Sequence, residues 1–372
     1  MALLNNRTYE RYDRQIALKQ FGKTAQLKLL NTKVLVIGAG GLGCPVLQYL
    51  AAAGIGTIGI VDDDVVTLSN LHRQILYSTT DIGLPKANRA AFVLQQLNPD
   101  ITINAYHTRL TNANALELIS EYDIVIDGTD NFASRYLIND ACILKKKPLI
   151  YGSIYRFEGQ VAIFNATDEN NIISANYRDL FPKQPEEHEV PSCNEAGVMG
   201  VLTGIIGMMM ANECIKLITG IGTPLINKLI IYNSLNNEIF ETAIIAKKET
   251  TNLIPVDEKA FKAKQYSFHC LTEHSFIDID IEEFNRLMNE ENTIVIDVRE
   301  KGEKPVVSAF QHINIPMSIL TKEMPVIHQK NILLFCHSGI RSATAALLLS
   351  NGSNKVYNLK GGIIKWMAHQ QK

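Results

Sequence analysis

The fold of this chain turns on Val34-Leu35-Val36-Ile37-Gly38-Ala39-Gly40-Gly41-Leu42-Gly43. Four consecutive aliphatic residues suit a strand buried on both faces. The glycines that follow, at 38, 40, 41 and 43, permit a tight turn and let a ligand approach the backbone. A helix predicted over Pro45 to Ala53 then turns its N-terminus, with its unpaired N–H groups, toward that ligand. About two dozen residues on, Asp62 ends a second strand and can accept hydrogen bonds from a ribose. Strand, glycine turn, helix, strand and acid in that order predict nucleotide binding.

Working outward, Gly56 to Val61, Ile101 to Tyr106, Ile124 to Asp127 and Pro148 to Tyr151 read as further strands separated by helical segments. That alternation predicts an α/β chain whose first part is a doubly wound, Rossmann-like parallel sheet. Gln160 to Phe164 and Lys228 to Tyr232 add strands, and the polar stretch Asn165 to Pro191 between them reads as a mobile surface loop. Val198 to Ala211 is an uncharged, apolar run. It falls short of the roughly 20 residues a spanning helix needs, so a buried helix is expected, with Gly200, Gly204 and Gly207 on one close-packed face.

The totals limit the function classes. At 372 residues two domains are expected. A net charge of -2 gives no general pull toward nucleic acid or membrane, so any polyanion site must be local. The cysteines at 44, 142, 193, 214, 270 and 336 form no Cys-x-x-Cys pair, which argues against a disulfide framework and fits a reducing cytoplasm. Met1 to Arg14 lacks the apolar core of an export signal.

The glycine unit also serves NAD-dependent dehydrogenases, so the choice of nucleotide rests on what lies beyond Asp62. Ser69-Asn70-Leu71-His72-Arg73-Gln74, Gly83-Leu84-Pro85-Lys86 and Gly128-Thr129-Asp130-Asn131 supply two cations and a carboxylate, as a triphosphate with magnesium requires. With Arg11-Tyr12-Asp13-Arg14-Gln15 and Glu195-Ala196-Gly197-Val198, these motifs run in the order of the ubiquitin-activating-enzyme-like adenylyltransferases, which the chain resembles from about Tyr9 to Glu241. That resemblance implies that Gly41, Asp62, Ser69, Asn70, Leu71, His72, Arg73, Lys86, Asp130 and Asn131 contact ATP, with Asp130 on Mg2+. It also implies a homodimer in which Arg14 reaches the partner subunit's site. The family joins the C-terminal glycine carboxylate of a small ubiquitin-like carrier to AMP; Arg73, Lys86 and magnesium would offset charge on the phosphates.

Cys193, in Pro191-Ser192-Cys193-Asn194-Glu195, matches a family cysteine that bonds covalently to the carrier in some relatives and is dispensable in others. The family's zinc site, two Cys-x-x-Cys pairs, is expected to be missing. The first pair aligns with Ile173 and Asn176, and near the second only Cys270 remains, flanked by His269 and His274.

After a lysine-rich, aperiodic stretch, Ile294 to Asp297 and Ile332 to Phe335 restore buried strands. The second delivers Cys336-His337-Ser338-Gly339-Ile340-Arg341 to the start of a helix, where backbone amides, the helix dipole and Arg341 favour a thiolate. With Ile296-Asp297-Val298-Arg299-Glu300 upstream and Leu359-Lys360-Gly361-Gly362 downstream, residues from about Phe276 to Met367 resemble rhodanese domains. Related phosphatases have one more residue between cysteine and arginine, so the resemblance implies sulfur transfer through a Cys336 persulfide. One departure is Ser308-Ala309-Phe310-Gln311-His312, where rhodaneses carry a glycine-histidine turn. The expected organisation is an ATP-binding adenylyltransferase domain over 1–246, a linker over 247–274 and a rhodanese-like sulfurtransferase domain over 275–372. The combined expectation is adenylation of a carrier ending in Gly-Gly, then transfer of sulfur from a persulfide donor to give a thiocarboxylate. Molybdopterin biosynthesis is the first-named pathway, with thiamine synthesis or tRNA thiolation as alternatives. A docking scaffold without turnover is the reading from a different class.

Overall fold

The computed structural model describes residues 6–167, 173–184, 197–266, 276–320, 327, 329–349 and 354–370. Cys193, Cys270, His269 and His274 lie outside them. The chain divides into two compact units, Met1–Phe268 and His269–Lys372.

The first unit is built on an eight-stranded sheet: β1 (Lys33–Ile37), β2 (Thr57–Val61), β3 (Thr102–Tyr106), β4 (Ile124–Asp127), β5 (Leu149–Tyr155), β6 (Glu158–Phe164), β7 (Lys228–Asn233) and β8 (Glu238–Ala243). Their spatial order is β3-β2-β1-β4-β5-β6-β7-β8. The first five run parallel and the last three antiparallel. The doubly wound expectation therefore holds, with an antiparallel extension. β1 is central because both its faces are apolar: Val34 and Val36 enter one core with Leu50, Ile206 and Met210, while Leu35 and Ile37 enter the other with Tyr136, Tyr151 and Phe164. Strand order reverses between β1 and β4, which opens a crevice at their carboxyl ends.

The long helix runs Gly200–Thr219, further than the uncharged run because Glu213 and Lys216 join it. By length and composition it could cross a membrane, yet it packs on the helix Gly43–Ala53 and on β5 and β6. Glu213 is buried within the protein, pairing with Lys216 and accepting from the Leu225 N–H. The expected glycine face is only partly close-packed. A Cβ on Gly200 would meet the His72 carbonyl at 2.3 Å and one on Gly207 the Leu42 carbonyl at 2.7 Å, whereas Gly204 faces open space.

The stretch expected to be a linker is, as far as Tyr266, part of the first unit. Lys248–Leu253 is a 3-10 turn and Glu258–Ala263 a helix capped by Asp257. Phe261 and Tyr266 enter the second core. The lysines there made the stretch read as solvent-facing, but Lys264 is recruited inward by a buried acid. Asp140, fully buried, accepts from Arg178 Nε and Nη2 at 2.7 Å each, Lys264 Nζ at 3.0 Å and Tyr266 Oη at 2.9 Å.

Nearby, the positions aligned with the family's first zinc pair do other work. Ile173 is exposed and has no donor, and Asn176 caps the helix Tyr177–Leu180. Asp179 binds the two segments directly, accepting from Asn176 N and Nδ2, the Lys247 N–H and Thr250 Oγ1. These residues do not fit a zinc site; a carboxylate joins the segments instead.

The second unit is a five-stranded parallel sheet of β9 (Ile277–Ile279), β10 (Thr293–Asp297), β11 (Ile313–Asn314), β12 (Asn331–Phe335) and β13 (Lys355–Leu359), ordered β11-β10-β12-β13-β9. Leu333 and Phe335 of β12 face Phe284 and Trp366 on one side, and Ile332 and Leu334 face Ala345 and Ala346 on the other. This smaller α/β domain presents Cys336 at the end of its central strand.

Asp140→Ala strands the buried Arg178 and is expected to cost about 3–5 kcal/mol, the scale for breaking a buried ion pair by removing one partner. Urea unfolding measures it; a midpoint equal to wild type would show that the network stabilises nothing.

Candidate active site

In the crevice the glycine loop is packed closely against backbone. Gly38 has φ 93°, and a Cβ there would lie 2.8 Å from the Gly128 carbonyl. A Cβ on Gly43 would lie 1.9 Å from the carbonyl of Gly38. The acid at the end of β2 completes the loop: Asp62 Oδ2 accepts from the Ala39 N–H at 2.7 Å and Oδ1 from the Asp64 N–H at 2.9 Å. Burial pushes its carboxyl above the usual range, and the Ala39 amide opposes that. Asp62 therefore holds the glycine loop as well as facing the cavity, which keeps it from being free solely for a ribose.

The cavity encloses about 360 Å³ and is lined by Gly38, Gly40, Gly41, Asp62, Arg73, Lys86, Asp130 and Asn131, all expected from sequence. Gly43 and Ser69 to His72 are not on its wall. Gly43 lies behind the loop as its packing contact, and Ser69 supports Arg73 by accepting from Arg73 Nη1 at 3.2 Å. Arg14 is exposed on the helix Asn6–Ile16 and does not line the cavity. Lys86 begins the helix Lys86–Leu97; its side chain is 5% exposed and its Nζ lies 2.8 Å from Asp64 Oδ2. A triphosphate would have to compete with that carboxylate for the lysine.

Four residues that sequence reasoning did not single out belong with them. Gln74 is buried on the cavity wall with Oε1 lacking a hydrogen-bond partner. Thr203, in the first turns of the long helix, and Arg135 also line the wall. Asp127, which ends β4, accepts from Thr129 N at 2.9 Å and Oγ1 at 2.6 Å; burial pushes its carboxyl up, and Arg135 opposes the shift. An acid at the end of a strand otherwise buried was the available signal for it.

Asn131 caps the helix Phe132–Lys145 by accepting from the Ser134 N–H at 2.9 Å, which leaves Asp130 exposed at the cavity edge. Magnesium carried on nucleotide phosphates needs one or two protein carboxylates. Asp130 fits that requirement, and a bound ion would neutralise phosphate charge there.

The second site lies in the other unit. Cys336 is fully buried; its Sγ accepts from the Gly339 N–H at 3.1 Å and from Ser342 Oγ at 3.4 Å. The turn after β13 braces this loop, with the Ile363 N–H donating to the Cys336 carbonyl at 2.9 Å. A Cβ on Gly362 would meet the His337 carbonyl at 2.5 Å, so the downstream glycines are there for close approach. His337 is exposed. Arg341, expected to support the thiolate, instead places Nη1 and Nη2 at 2.6 and 2.8 Å from the two carboxylate oxygens of Glu303. The Arg341 hydrogen bonds hold the Glu303 carboxyl down at about 2. Where rhodaneses carry their glycine-histidine turn, Phe310 and His312 stack edge-on against Phe335.

The chain matches the ThiF family over residues 12–253 and the rhodanese-like domain over residues 280–369. It is 39% identical over 383 residues to a probable adenylyltransferase/sulfurtransferase, MoeZ, of Mycobacterium tuberculosis, covering 99% of this chain and 95% of that one. It is 52% identical over 226 residues to the sulfur carrier protein adenylyltransferase of Thermus thermophilus, 61% of this chain and 83% of that one. Among solved structures, Escherichia coli MccB shares the fold with a TM-score of 0.57 at 22% identity, over 73% of this chain and 75% of that one.

Gly43→Ala forces the loop off the Gly38 carbonyl and is expected to weaken ATP binding roughly a hundredfold, the scale of a misplaced site. Gly204→Ala, facing open space, is expected to leave it unchanged. Calorimetric titration with ATP reads both; equal affinity for the two variants would refute the close-packing account.

Proposed function

Because the chain belongs to the ThiF family and carries a rhodanese-like domain behind it, we propose that it activates the C-terminal carboxylate of a small ubiquitin-like sulfur carrier with ATP and then replaces the activated oxygen by sulfur. The observation that carries this reading is the pairing, on one chain, of a cation-lined crevice at a sheet switch point with a cysteine seated in a strand-to-helix loop. The chain is an adenylyltransferase joined to a sulfurtransferase.

A carboxylate is a poor electrophile until its oxygen becomes a leaving group. The glycine loop and the helix behind it receive phosphates through backbone N–H groups. Arg73 and Lys86 offset charge as the carrier carboxylate attacks the α-phosphorus and pyrophosphate departs; for Lys86 this means exchanging Asp64 for phosphate. Asp130 would hold the nucleotide's magnesium, which would offset phosphate charge there. Arg14, exposed on the first helix, is assigned to the partner subunit's cavity in a homodimer.

In the second stage the terminal sulfur of a Cys336 persulfide attacks the acyl carbon, AMP leaves, and an acyl disulfide forms. A thiol, either Cys193 or one supplied by a reductant, then cleaves the S–S bond and releases the thiocarboxylate. The four described cysteines at 44, 142, 214 and 336 are free and buried, in keeping with a reducing cytoplasm. The adenylation step is common to molybdopterin, thiamine and tRNA-thiolation carriers; we expect the molybdopterin carrier to be preferred because a relative 37% identical over 364 residues bears the name probable molybdopterin-synthase adenylyltransferase.

Pyrophosphate exchange into ATP tests the division of labour. Exchange should require a carrier ending in Gly-Gly and should fall at least roughly a hundredfold in Asp130→Ala, the scale of losing a site's electrostatic stabiliser. Cys336→Ala should retain exchange and make no thiocarboxylate by mass spectrometry. Loss of exchange in Cys336→Ala would sink the assignment, and a wild-type chain that turns over no carrier would leave the docking scaffold.

A further inference from the structure

The sulfur site has a feature its proposed chemistry does not require: the cation of the cysteine loop is already occupied. Arg341 meets both carboxylate oxygens of Glu303 in a two-pronged pair. Such fork-to-fork pairs are among the stronger polar contacts and have fixed geometry. Glu303 is itself held, its Oε1 accepting from the Glu300 N–H at 2.8 Å. Glu300 is in turn fixed by Ser318, whose hydroxyl donates to its carboxylate at 2.9 Å. Because the Glu303 carboxyl lies near 2, the pair stays charged across physiological pH. The neighbouring guanidinium, Arg299, is likewise closed by Asp297, with Nε 2.8 Å from Oδ1. Two acids therefore stand beside the loop, and its own arginine is neutralised.

Arg341 acts on the cysteine sulfur through charge, while the sulfur's hydrogen bonds come from other groups. Sγ is stabilised by the Gly339 amide and the Ser342 hydroxyl, inside an apolar pocket. A negative sulfur is held by dipoles, and the loop's full positive charge is reserved by an internal carboxylate. Donors differ in what they ask of this arrangement. Thiosulfate is a small dianion whose departing sulfite is also a dianion, so it needs a cation at the loop. A persulfide borne on a protein cysteine releases a thiolate with a single charge and draws its binding energy from the surrounding surface.

Resting on the sulfurtransferase reading above, we infer that Glu303 is a specificity-determining residue, which by holding Arg341 excludes small divalent sulfur anions and reserves Cys336 for protein-borne persulfides. The favoured step balances without an added oxidant. The Cys336 thiolate attacks the terminal sulfur of the donor persulfide, the donor S–S bond breaks, and its electron pair leaves on the donor thiolate. With thiosulfate the same attack would release sulfite.

The test compares wild type with Glu303→Gln, full-length, using thiosulfate and a cysteine desulfurase charged with radiolabelled L-cysteine as the two donors. Sulfite release gives KM and kcat, and label on Cys336 gives persulfide loading. Glu303→Gln should lower KM for thiosulfate roughly tenfold, the scale of freeing a charge-assisted bidentate partner, with kcat little changed. Loading from the desulfurase should stay at the wild-type level. If KM does not move, or if loading falls in parallel, Glu303 is only a brace and the inference fails. Should Glu303→Gln not fold, Glu303→Asp shortens the reach and is read the same way, with a smaller drop in KM expected and an unchanged KM again overturning the idea. Failure of both donors to load wild-type Cys336 would instead overturn the sulfurtransferase reading itself.

Discussion

The first unit depends on a contact between pieces of backbone: the carbonyl of Gly38 lies where a side chain on Gly43 would have to be. Only with hydrogen at that position can β1 turn sharply enough to seat the helix Gly43–Ala53 behind the loop and aim its N–H groups into the crevice. Asp62 locks the result by accepting from the loop at Ala39, and Gly128 is pressed against the loop from β4. The second unit solves a similar problem with the same residue type. There Gly339, Gly361 and Gly362, all at positive φ, let the turn after β13 lie against the cysteine loop. In both units a reactive position is a strand end followed by a helix start, made possible by the absence of a Cβ.

Three cations, one at each site and one in the core, have an anionic partner within the protein. Lys86 meets Asp64, Arg341 meets Glu303, and Arg178 meets Asp140. The consequences differ with burial. In the Asp140 network the acid and Arg178 are buried while Lys264 reaches in from the surface, so it serves stability: removing Asp140 would strand Arg178. Asp64 is 70% exposed, so its hold on Lys86 is screened by solvent. Glu303 lies between these cases, anchored by the backbone and partly shielded, which suits a residue that filters ligands.

Several readings made from residues alone met the structure at particular points. Four aliphatic residues before a glycine run could only be a central strand, and Val34 to Ile37 are buried on both faces. Lysine content misled between 247 and 266, because a side chain's charge does not reveal whether an acid distant in sequence will take it inward, as Asp140 takes Lys264. Asp127 and Gln74 were passed over for the same reason: each looked ordinary until tertiary packing removed its solvent.

The sequence by itself determined the order of elements, the two glycine turns and the types of group at each site, because these follow from local sterics and periodicity. Which of those groups share one cavity, and which charges arrive already paired, was decided by tertiary structure. Arg73, Lys86 and Asp130 come from separate segments and converge only when β1 and β4 lie side by side. The glycine loop announced a nucleotide, and the partners waiting on Lys86 and Arg341 set what an incoming ligand must displace.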